Sequence, residues 1–175
     1  MTFPPTPSSS SPPPSHPTAL LATSPPSTPA DLITTLTTLT TQASSHLLAA
    51  SSPTDFYESA LTLMHVLQTI ELATDRIIAD DSDAVLTMGV FGGRKILDVL
   101  AAQMLSINIQ ICRAFAELGM WELVGARVGD AGKLVDMSRG HFHVSGEARE
   151  WLGKMGEIAD EQGRIDEEQA AAVDG

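Results

Sequence analysis

The chain has 175 residues, enough for one domain, and sets 22 Asp and Glu against 10 Lys and Arg for a net charge of −12. Residues 1–75 hold no lysine or arginine, so that half offers no basic arm for phosphates, and the remainder shows no obvious basic stripe. A single cysteine, Cys112, excludes an intramolecular disulfide and a cysteine-only zinc site.

Ten of the eleven prolines fall in the first 29 residues, among serines and threonines. That composition cannot bury enough apolar surface to offset chain entropy. It predicts a disordered Pro/Ser/Thr-rich arm over 1–28, a helical domain over 29–166 and an acidic frayed tail over 167–175. The N-terminus lacks the positive region and long apolar run of a secretory signal, Leu20-Leu21-Ala22 being too short, and its lack of arginine is unlike a mitochondrial transit peptide.

Thr28-Pro29-Ala30-Asp31 reads as a helix start, with proline at the first helical position and an acid in the first turn. Leu32, Leu36, Leu39, Ala43 and Leu47 then keep helical spacing. Six threonines between Thr34 and Thr41 argue for extended chain, because β-branched residues prefer it; periodicity decides for helix. Ser52-Pro53-Thr54-Asp55 is a second start, a capping box with Asp in place of Glu or Gln. The helix it opens carries Phe56, Ala60, Leu63, Leu67, Ile70 and Ile77, and is expected to reach about Ala79. Asp80-Asp81-Ser82-Asp83 predicts a tight turn, with Ser82 capping the next helix.

Residues 84–118 form the longest apolar segment, which as one straight helix would span roughly 52 Å. Gly92-Gly93 is the natural break, giving a short helix over 83–91 and a long one over about 94–118 that stops at Gly119. On the long helix Leu97, Leu100, Met104, Ile107, Ile111, Ala114 and Leu118 make one apolar face. Leu105, Ile109, Cys112 and Ala116 make a second, and Gln103, Ser106, Gln110, Arg113 and Glu117 a narrow polar strip. A helix apolar on two sides is packed from both, so this one is expected at the centre. Arg94-Lys95, Asp98 and Asn108 interrupt the apolar run and argue against a membrane span. A soluble, intracellular helical protein is the consistent expectation.

After Gly119, Trp121, Leu123, Val124 and Val128 predict a short helical piece interrupted by Gly125, Gly129 and Gly132. His141-Phe142-His143-Val144 alternates polar and apolar, as an extended link does, and Ser145 suits the N-cap of a last helix carrying Ala148, Leu152, Met155, Ile158, Ala159 and Ile165. The whole reads as an all-α domain of five or six helices around a long central helix.

Four groups of residues could carry chemistry. Asp80, Asp81 and Asp83 resemble the aspartate-rich magnesium motif of prenyl-diphosphate enzymes, but the second metal-binding helix is lacking, and an acidic helix junction is the plainer reading. His141 and His143 could share a metal but have no third ligand at suitable spacing. Gly89 to Lys95 has the glycines of a phosphate loop, yet Ile96 follows where Ser or Thr is needed. Asn108 lies between the apolar stripes and is expected to set helix register, and Cys112 to pack as a small apolar residue. No catalytic, cofactor-binding or metal-binding residue is assigned, and no enzyme is expected.

The order of features does resemble a known family. An acidic turn, an apolar stretch ending in K-I-L-D, and a G-x-F-x-V link into an amphipathic last helix are similar to the C-terminal domain of the aflatoxin regulatory protein family, fungal transcription factors of the zinc binuclear-cluster type. The matching residues are Ile77-Ile78 to Asp83, Ala84 to Ala102 with Lys95-Ile96-Leu97-Asp98 at its heart, and Gly140 to Leu152, covering about 55–165. The resemblance implies a nuclear regulator of secondary metabolism, with the cytoplasm as the location otherwise. That family's zinc cluster and its basic residues have no counterpart in a chain with one cysteine. The resemblance therefore implies action through protein partners, the transcriptional machinery or a zinc-cluster factor. DNA enters only in the family context and no membrane is involved. The alternative is a helical interaction or dimerisation module unrelated to transcription.

Overall fold

The computed structural model describes residues 29–79, 90–91 and 94–173, and the fold is all-α. Among the described residues there are five helices: α1 (Pro29–Ala49), α2 (Pro53–Ala79), α3 (Ile96–Glu117), α4 (Trp121–Met137) and α5 (Gly146–Val173). Two short strands, β1 (Val90–Phe91) and β2 (Arg94–Lys95), pair antiparallel with Val90 opposite Lys95 and Phe91 opposite Arg94. The arm over 1–28, the Asp80–Asp83 junction and the Gly92-Gly93 break lie outside the described residues.

Helix α1 forms despite its threonines, and the hydroxyls show how. Thr35, Thr38, Thr40 and Thr41 each donate to the carbonyl four residues back, at 2.8–2.9 Å, and Ser44 and Ser45 repeat the pattern at 2.7 and 2.9 Å. These polar groups are satisfied within the helix, leaving Ile33, Leu36, Leu39 and Ala43 to enter the core. Leu36, Leu39 and Ala43 are buried as expected, while at the start of the face Ile33 is fully buried and Leu32 only half-buried.

The start of α2 is a reciprocal capping box. The Ser52 hydroxyl accepts from the Asp55 N–H at 3.2 Å, and the Asp55 carboxylate accepts from the Ser52 N–H at 2.9 Å and the Ser51 N–H at 3.1 Å. Ala60, Leu63, Val66, Leu67 and Ile70 then line its buried face.

Helix α3 is the centre. Its first stripe, with Leu100, Ile107 and Ile111, packs into one cluster with Ile33 and Leu36 of α1 and Leu63 and Ile70 of α2. Leu105 and Ile109, on the second stripe, join Ala131 of α4, Val144 and Leu152 in another cluster. By length and composition alone α3 could cross a membrane, but here its stripes are packed by the other helices. It ends in a Schellman turn: the Met120 N–H donates to the Phe115 carbonyl at 2.9 Å and the Gly119 N–H to the Ala116 carbonyl at 3.0 Å. Gly119 holds the required left-handed φ of 68°.

Three expectations are corrected. Of the helix expected over 83–91, residues 83–89 lie outside the described residues, and Val90 and Phe91 are not helical but pair as a strand with Arg94 and Lys95; α3 begins only at Ile96. Valine and phenylalanine are good strand formers, and the backbone of β1 lies beside α3. The glycines after Trp121 do not interrupt α4, which runs unbroken to Met137. Gly125 lies against α5, where a Cβ would meet that of Ala159 at 3.6 Å, and Val128 lies against Gly156, so close helix packing offsets the propensity cost. Finally, α5 continues past Asp166 to Val173, held by Arg164, which reaches Glu161 at 2.6 Å and Glu168 at 2.9 Å. Ser145 does cap α5, its hydroxyl accepting from the Ala148 N–H at 3.1 Å.

Candidate interaction groove

The residues weighed for chemistry are dispersed. Asp80, Asp81, Asp83 and Gly89 lie outside the described residues, and among the described residues no three His, Cys, Asp or Glu side chains converge as metal ligands would. His141 and His143 are both exposed. The chain between α4 and α5 is not a simple extended link. It turns first, with the His141 N–H donating to the Ser138 carbonyl at 2.9 Å and Gly140 at a φ of 84°, which glycine alone adopts readily. That turn carries His141 away from any shared site and sets its Nδ1 3.4 Å from Asp98 Oδ1. Cys112 is fully buried, and burial pushes its thiol up to about 12, so it stays protonated and unreactive.

Asn108 is buried between the stripes, but its Nδ2 donates at 3.0 Å to Met104 of its own helix and its Oδ1 accepts no hydrogen bond. It therefore ties no helix to another. Gln103 does that instead: its Nε2 donates to the Thr37 hydroxyl of α1 at 2.6 Å, fixing the level at which α1 and α3 meet. Sequence patterning placed Gln103 on the polar strip and could not name its partner, which lies 66 residues away.

From that level onward the polar strip of α3 becomes the wall of a groove. Ser106, Gln110, Arg113 and Glu117 line one side, the last turns of α1 the other, and Phe56 and Ile109 are apolar lining between them. Its volume is about 690 Å³, within the range of ordinary ligand and peptide sites. Leu48 at its rim is 86% exposed, the most exposed large apolar side chain among the described residues.

Several charges outside the groove are paired. Arg127 and Lys133 pair with Asp130, Arg139 with Asp136, Lys154 with Glu150, and Arg164 with Glu161 and Glu168, each within its own helix or turn. Arg113 and Glu117 have the same four-residue spacing, yet among the described residues neither forms an ion pair. Arg113 lies instead over the Trp151 ring of α5, 5.3 Å from its centroid.

No family model, curated protein or solved structure matches this chain. What can be said of the groove rests on its own geometry. So does what can be said of two of the three stretches on which the family resemblance rests, the acidic turn lying outside the described residues. Asp98 of K-I-L-D, in the first turn of α3, meets His141, and Val144 of G-x-F-x-V is buried with Leu105 of α3, with Phe142 packed against them.

Proposed function

We propose that the chain is a transcription-regulatory protein of the fungal secondary-metabolism type, nuclear, and acting through protein partners. One observation carries the reading. The K-I-L-D stretch and the G-x-F-x-V link, far apart in sequence, are joined by the Asp98–His141 contact at 3.4 Å. The contact sets two stretches of the resemblance side by side, with His141 at an open position of the link.

Action through partners follows from the charges. Five of the ten cations are held by acids on their own helix or turn, and the net charge of −12 opposes the approach of phosphates. The test is tethering: the full chain joined to an unrelated DNA-binding domain should raise or lower transcription of a reporter carrying that domain's site. An unchanged reporter, with the fusion present at normal level in the nucleus, would overturn the proposal. The second reading, a helical interaction module with no transcriptional role, is favoured by the groove between α1 and α3.

A further inference from the structure

We infer that the groove between α1 and α3 is the contact face of a two-fold homodimer, in which Arg113 of each copy pairs with Glu117 of the other. A two-fold interface must be self-complementary, so whatever one copy offers the same face must receive. This face offers both halves of each contact. Leu48 is a projecting apolar side chain at the rim, and Phe56 and Ile109 are the apolar surface beside it. Arg113 and Glu117 are opposite charges one helical turn apart, about 6 Å along the axis. Two α3 helices crossing antiparallel about a point between these residues bring each arginine opposite the glutamate of the second copy.

The local chemistry favours a partner from outside. Arg113 and Glu117 form no ion pair among the described residues, although Arg164 and Glu168 pair in α5 at the same order and spacing, so both groups of α3 are available to a partner. Glu117 is the last residue of α3, where a negative charge opposes the helix dipole, and no basic residue in the last turn relieves it. A cation from a second copy would relieve it. Arg113 is steadied by the Trp151 ring, 5.3 Å from its centroid, a contact that leaves the guanidinium's charge unneutralised.

The experiment is a mass measurement by sedimentation equilibrium on the full 18.5 kDa chain across a dilution series, with circular dichroism to check that each variant is folded. The wild-type chain should sediment at twice the chain mass. Arg113→Glu alone and Glu117→Arg alone should each sediment as monomers, since like charges then face one another. An equal mixture of the two variants should recover the doubled mass, because every facing pair is again opposite in sign. Leu48→Asp should be monomeric. A wild-type monomer at all concentrations would overturn the inference, as would single charge variants that stay dimeric or a mixture that stays monomeric. A dimer through this face is compatible with either functional reading, so this measurement and the tethered reporter fail independently.

Discussion

Asp55 is held by donors that come before it in the chain. The Ser51 backbone N–H first, then Ser52, keep its carboxyl below the usual carboxylate range. A group whose folded pKa lies below its unfolded value of about 3.9 stabilises the fold fully above that value, and the contribution is lost as pH falls through the folded one. Thermal melts of the wild type and Asp55→Ala should therefore differ by a constant interval near neutrality, and the interval should close below about pH 4. An interval independent of pH would mean that the carboxylate is not what caps α2. Ser52→Ala, which removes the other half of the box, should cost about 1 kcal/mol, or roughly 3 °C in melting temperature, at neutral pH.

At the scale of whole elements, glycines with the same name have opposite roles. Gly129 lies within α4 with open space where a Cβ would stand, so Gly129→Ala should stabilise the protein by about 0.8 kcal/mol through helix propensity. Gly119 also has open space, but its φ of 68° closes the Schellman turn after α3. There Gly119→Ala should destabilise by about 1–2 kcal/mol, because a Cβ strains the left-handed backbone. Urea melts of the two variants should move in opposite directions. A shift of the same sign would show that the turn after α3 does not depend on its glycine.

For the molecule as a whole, charge decides what it can approach. With ten basic residues against twenty-two acids, the chain repels a polyanion at long range, and the repulsion grows as salt is lowered. The isolated protein should not retard fungal promoter fragments in a mobility-shift assay at about 0.15 M salt. A salt-sensitive shift by the protein alone would contradict this account and show that the self-paired cations open toward phosphate.

Local chemistry alone determined the helix starts at Pro29 and Pro53, the stop at Gly119, the cap at Ser145 and the two apolar stripes of α3, because each rests on neighbours within a turn or two. The polar strip Gln103, Ser106, Gln110, Arg113 and Glu117 was legible for the same reason. That it walls a groove was not, since this depends on where α1 ends beside it. Only the tertiary structure decided that α4 runs through three glycines, that Val90-Phe91 pairs as a strand, and that Gln103, not Asn108, ties α3 to α1. For α4 and for Gln103 the physical reason is the same. A propensity of about 1 kcal/mol per residue is outweighed when a neighbour distant in the chain supplies packing or a hydrogen-bond partner, and no local pattern says which neighbour that is.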